Sequence, residues 1–276
     1  MSEFVTTSRG DTVAHERHGH GPAVVFVAEA DAHPVKDPAT TATAQGLARR
    51  GWTTVVHDRL GRGANRVGGR VDLDRELAAV DALLRVTGGG VLAGLGAGGA
   101  VALAAAARGL PVDGLVLWEP PLEPPSHHHD VQEWAQGVDR CVRAGDPHSA
   151  VWHYLQHMPP RLRQQTPPTH RDVDLTSRAG AYVADAEAVA WASGAPLREL
   201  LATVDVPVLV LVGEDASRGT QDAADLVARL PRAHAEALPR GAGGWDVDAA
   251  VERIDRFLAG TPRRRAGAGA SPVAAS

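Results

Sequence analysis

Cysteine occurs once in the chain, at Cys141, which excludes an intrachain disulfide and a thiolate metal cluster and points to a cytoplasmic address. Lysine is as scarce. Lys36 stands alone beside abundant arginine, a bias that suggests a GC-rich coding genome and nothing about function. Positive charge is not in excess either: 28 Lys and Arg face 33 Asp and Glu, for a net charge of −5. Neither nucleic acid nor an anionic membrane surface is therefore an expected partner. Long apolar runs are missing, since 96–108 and 205–213 are too short or too rich in Gly and Ala to span a bilayer. The polar opening "MSEFVTTSRGDTVAHERHG" carries no signal-peptide pattern. A last absence is local: no Ser, Thr or Cys lies between 88 and 110.

What is present is ordinary soluble material. The 276 residues, 44% hydrophobic and 22% charged, suffice for one large α/β domain with an insertion or for two small domains. "EFVTTS" and "TVAHERHG" alternate in polarity around Arg9-Gly10-Asp11, a plausible hairpin turn. "PAVVFVAEA", "WTTVVHD", "VDGLVLWEP" and "VPVLVLVGED" read as strands, the most apolar of them buried on both faces. Helices are expected over 38–50, 72–87, 97–108, 220–230 and 246–259, with a short strand at "HAEAL". On the 72–87 helix, Leu73, Leu77, Val80, Leu83 and Leu84 share one face. Regularity fails for roughly 75 residues after Pro120, where helices are expected only near 130–144 and 147–157.

The stretch "VLAGLGAGGAVALAAAARG" (91–109) is an apolar strand, a glycine-rich corner and an alanine-rich helix. It resembles the Gly-x-nucleophile-x-Gly elbow of the α/β-hydrolases, with Gly94, Gly98 and Gly99 in the small flanking positions and Gly96 at the apex. "HDRLGRG" resembles the loop after the family's fourth strand, and "ARGLPVDGLVLWEPP" its sixth strand entering the cap. "VPVLVLVGED" resembles the strand that ends in the acid, and "LPRGAGGWDVDAAVERIDRFL" the final histidine loop and closing helix. The resemblance covers nearly the whole chain. It implies an α/β fold, a mostly parallel central sheet flanked by helices with a helical cap insertion. Residues 1–121 and 196–260 would form the core, 122–195 the cap and 261–276 a disordered tail.

Active members of that family carry a nucleophile, a carboxylate and a histidine in that chain order. Here Gly96 stands at the nucleophile position and Trp245 at the histidine, while the carboxylate position falls on Asp215 or on Ala216. No neighbouring hydroxyl or thiol replaces the nucleophile, so serine-type covalent hydrolysis is not expected. The resemblance places the oxyanion-hole donors at the amides of Ala97 and of Glu29 or Ala30, and a Gly96 apex would enlarge the space above them. "VAEADAH" puts Glu29, Asp31 and His33 near the same rim. Glu29, Asp31 and Asp215 are the candidate acid or base catalysts, since a carboxylate in a dry pocket can have its pKa raised. Gly96, Trp118, Glu119 and Trp245 are the candidate ligand-binding residues, Trp245 as a flat apolar wall.

Plainer readings exist for several of these. Glu29 and Asp31 are explained by a solvated loop, Trp118 by core packing, and Asp215, Asp246 and Asp248 by helix capping. His153 and His157, four apart on a helix, could bind zinc with a third ligand from 127–129 or His170, but no His-Glu-x-x-His occurs and a polar cap surface suffices. Gly94, Gly96 and Gly99 fit a dinucleotide fingerprint with Glu119 downstream, yet the motif falls in mid-sheet instead of at the first strand. Neither a metal nor a cofactor is expected. The favoured function is a non-hydrolytic cyclase, lyase or isomerase acting on a small, largely apolar or aromatic, polyketide-like molecule in secondary metabolism. The alternatives are a catalytically inactive ligand-binding or scaffold protein and a residual ester or epoxide hydrolase.

Overall fold

Three strands have no polar side to show. β3 (Ala23–Val27), β5 (Gly90–Leu95) and β7 (Val208–Gly213) are buried at every position, which only a parallel sheet covered on both faces accommodates. The computed structural model describes residues 2–29, 37–121, 128–157, 176–193, 201–214, 223–241 and 244–263. Of the tail 261–276 that was expected to be disordered, residues 264–276 lie outside them.

Eight strands form one sheet in the order β1-β2-β4-β3-β5-β6-β7-β8. β1 (Ser2–Thr6) and β2 (Thr12–His18) make the expected antiparallel hairpin, with Ser2 opposite Glu16 and Gly10 at φ 84° in the turn. β2 runs antiparallel to β4 (Thr53–His57), and from there to β8 (Ala233–Leu238) every neighbour is parallel, including β6 (Val112–Trp118).

On one face lie α1 (Pro38–Arg49) and α7 (Val247–Gly260), over a cluster that includes Phe26, Leu47, Leu209, Trp245 and Ile254. Asp37 and Asp246 cap these helices by accepting from the backbone N–H of Thr40 and Ala249. The other face carries α2 (Leu73–Thr87) and α3 (Ala97–Ala107). Asp72 caps α2 at its start and Gly88, left-handed at φ 77°, ends it.

Between β6 and β7 the described residues include α4 (His128–Arg143), α5 (Pro147–His157) and α6 (Tyr182–Ala192). The first two fall where the sequence places them. α6 was not anticipated, because "YVADAEAVAWA" is apolar nearly all round and gives no amphipathic period. It packs on α2, α3 and α4, and its Tyr182 and Val183 share one continuous apolar cluster with Leu103 of α3 and Trp134 of α4. Near 220–230 only 223–227 are helical among the described residues. No described helix is long and apolar enough to cross a membrane.

Candidate functional site

β5 delivers its last residue, Leu95, to Gly96, whose backbone turns at φ 51°, ψ −124° before α3 begins at Ala97. That left-handed φ favours a residue without a Cβ. The corner is pinned by Gly96 N–H donating to the Trp118 carbonyl at 3.0 Å and Gly99 N–H donating to the Gly96 carbonyl at 2.8 Å. Its small neighbours are required by close approach. A Cβ on Gly98 would stand 2.1 Å from the Val27 carbonyl oxygen, and one on Gly94 would stand 2.6 Å from the Gly99 Cα.

The space above Gly96 is not enlarged, contrary to the sequence expectation. A Cβ on Gly96 would meet Glu29 Oε1 at 2.6 Å and its Cδ at 2.9 Å. The half-buried Glu29 carboxylate, two residues past β3, thus occupies the volume that a side chain at the apex would fill. It lies beside the first turn of α3, whose N-cap Gly96 offers no side-chain acceptor, and a helix N-terminus favours negative charge there. Ala97, the expected oxyanion donor, is fully buried at the helix start. Ala30, Asp31, His33 and Asp215 lie outside the described residues.

Behind Glu29 is a charge network that sequence reading missed. Arg59 Nη1 donates to the Ala28 carbonyl at 3.2 Å, one residue before Glu29. The same guanidinium pairs with Glu76 at 2.8 Å and Asp185 at 2.7 Å, and Arg62 also pairs with Asp185. All four side chains are almost wholly excluded from water. Burial works to lower the Arg59 pKa, but the Asp185 and Glu76 carboxylates outweigh it and push the pKa up, so the guanidinium stays charged. One signal was visible beforehand: Glu76 interrupts the apolar stripe of α2, three residues after Leu73 and four before Val80.

Trp245 is 8% exposed and belongs to the core cluster under α1 and α7. Its indole N–H donates to Thr43 Oγ1 on α1 at 3.0 Å, and its ring lies 5.0 Å from that of Trp118, tilted by 56°. The aromatic surface left toward the strand ends is mainly that of half-buried Trp118. Glu119 follows it, with φ 38°, and its Oε1 accepts from Gly213 N–H at 3.0 Å. Arg240, after β8, approaches the same oxygen at 3.6 Å. Gly96, Glu29, Trp118, Glu119 and Arg240 therefore gather at the carboxyl edge of β3, β5, β6, β7 and β8, the edge where open α/β sheets take ligands. Arg240 is a residue the sequence did not single out.

Of the two histidines on α5, the His157 side chain lies outside the described residues, as do His127 and His170. A Cβ on Gly137 of α4 would lie 1.9 Å from His153 Nε2, so this ring is turned into the α4–α5 contact. Among the described residues, no group of three or more His, Cys, Asp and Glu is placed to hold a metal ion.

No family model matches the chain, and no curated protein does. Solved structures do. The chain is similar to an alpha/beta hydrolase from Sphaerobacter thermophilus DSM 20745, at 25% identity and a TM-score of 0.70 over 92% of this chain and 99% of that one. It is similar to a thermophilic esterase from Thermogutta terrifontis at 20% identity, with a TM-score of 0.63 over 94% and 96%. An enol-lactonase from Burkholderia xenovorans LB400 aligns at 16% identity, with a TM-score of 0.62 over 93% and 100%. The last two likenesses, under 25% identical, concern the fold alone.

Proposed function

Because this chain is a member of the α/β-hydrolase fold superfamily, we propose that it is a proton-transfer enzyme of cyclase, lyase or isomerase type. In this reading it works on a small, largely apolar or aromatic molecule of polyketide-like chemistry and forms no acyl-enzyme. The observation that carries the reading is the Glu29 carboxylate seated over Gly96, in the volume of the absent side chain. A substrate carbonyl oxygen resting on the Ala97 N–H would place its α-carbon near that carboxylate. Glu29 takes the α-proton, the oxygen gains the charge beside the helix N-terminus, and Glu29 returns the proton at another position or to a leaving group. Trp118 supplies the flat apolar surface against which the body of the ligand lies.

The test uses aryl 1,3-dicarbonyl probes in deuterated buffer, with α-proton exchange followed by NMR and ester hydrolysis followed in the same samples. Exchange above the buffer rate, reduced about 10²-fold or more in Glu29→Gln, is the expected result. Exchange unchanged by Glu29→Gln overturns the role of Glu29. Ester cleavage lost in the same variant would instead make Glu29 a base for water and restore hydrolysis.

A second reading, a ligand-binding protein without turnover, is favoured by Trp245. The loop from which the family draws its base offers an indole whose N–H is committed to Thr43. Thermal stabilisation by ligands retained from the native cell extract, with no probe turned over, would decide for it.

A further inference from the structure

We propose that Arg240 is the specificity residue of this site and that the ligand it reads is an aromatic or polycyclic carboxylate. The inference rests on the aromatic-ligand reading above and adds the chemical group at the far end of the molecule.

It begins with Glu119. Among the described residues this is the one non-glycine residue with a positive φ, 38°. Such a backbone is strained, and it persists only where surrounding contacts over-determine it. Here they are the Glu119 N–H donating to the Leu211 carbonyl at 3.0 Å and the Glu119 carboxylate accepting from Gly213 N–H at 3.0 Å. The turn throws the carboxylate sideways across the end of β7 instead of along β6. There it faces the guanidinium of Arg240 at 3.6 Å.

Gly213 completes the arrangement. A Cβ at that position would lie 3.0 Å from Arg240 Nη2 and 3.1 Å from its Cζ, so the glycine makes room for the guanidinium over the strand end. The Arg240 side chain is 45% exposed and that of Glu119 14%. An ion pair so exposed contributes little to folding and does not offset the strain at Glu119. The two hydrogen bonds hold Glu119 in this turn, and its carboxylate in turn holds a cation at the ligand edge.

Half-buried Trp118 is the residue before Glu119, which faces Arg240. An indole and a planar guanidinium at the same sheet edge fit a flat apolar body ending in a carboxylate, which a guanidinium can bind in a forked pair. The carboxylate end would dock on Arg240 across β7 and β8, and the reacting end would point toward Gly96 and Glu29 across β3 and β5.

Isothermal calorimetry of the full chain with 2-naphthoate and 2-naphthamide tests this without reference to turnover. The expected result is naphthoate binding about tenfold tighter than naphthamide. Arg240→Gln should erase the difference, and Arg240→Lys should restore part of it. Arg240 is at the surface, so the folded state of each variant is checked by its melting curve. Equal affinity for both probes, or a preference that survives Arg240→Gln, overturns the assignment and leaves the aromatic-ligand reading standing. Binding of neither probe overturns both.

Discussion

At Gly96 the backbone angles carry more than the missing side chain does. A φ of 51° with ψ −124° places the residue where any L side chain is strained. A serine introduced there would push its Cβ into Glu29 Oε1, the movable end of a flexible side chain, so Gly96→Ser is expected to fold with a modest loss of stability, about 1–2 kcal/mol. Mixed with p-nitrophenyl acetate, Gly96→Ser should release no burst of p-nitrophenol. Trp245 stands where the resemblance puts the histidine, and an indole N–H is a donor only, here bonded to Thr43. A burst that persists when Glu29→Gln is added to this variant would show that a base other than Glu29 serves the corner.

Arg59 ties four elements together by charge. It reaches from the loop after β4 to the end of β3, to Glu76 on α2 and to Asp185 on α6. Removing one member of a buried ion cluster leaves the others charged and dry, which costs about 3–5 kcal/mol. Arg59→Met is expected to lower the unfolding free energy extrapolated from urea titration by that much, and adding Asp185→Leu to recover part of the loss. If the single change costs less than about 1 kcal/mol, typical of exposed pairs, the cluster is not the joint described here. The same elements show how far the sequence could be read. β3, β5 and β7 declare themselves as unbroken apolar runs, and α2 by its leucine stripe. α6 does not, because a helix buried on all sides has no period to detect. The Arg59 cluster was hidden for another reason: it joins residues 17, 31 and 126 positions apart in sequence, which no local pattern can reveal.

For the whole molecule, acid should be the sensitive direction. His57 is buried in the sheet beside Arg59 and opposite His15, which lies 3.6 Å from Glu3. Burial first, then the charges of Arg59 and His15, lower its pKa from 6.5 to about 3, against a smaller opposing contribution from a backbone hydrogen bond at Phe26. The folded protein therefore keeps His57 neutral where the unfolded chain takes up a proton. Its contribution is neutral above pH 6.5 and becomes a loss of stability as pH falls from 6.5 toward 3. The slope is about 1.4 kcal/mol per pH unit at most. Melting curves between pH 7 and pH 4 should flatten in His57→Phe, and an unchanged slope would place the sensitivity elsewhere. At this scale the mostly parallel sheet flanked by helices and the glycine corner were legible, because apolar runs and spacing encode them, while the strand order was not. Glu29 over Gly96, and Arg240 beside Glu119, were not, since each depends on strand ends that only the assembled sheet brings side by side.

The tilted indole pair of Trp118 and Trp245 has an optical consequence. Two chromophores 5.0 Å apart and inclined by 56° couple their transition dipoles, and a chirally fixed pair of this kind gives a bisignate circular-dichroism couplet. One ring is locked in the core by Thr43 and the other borders the ligand edge. A molecule that lies against Trp118 must change the sign balance or amplitude of that couplet, giving the protein a built-in, label-free readout of occupancy.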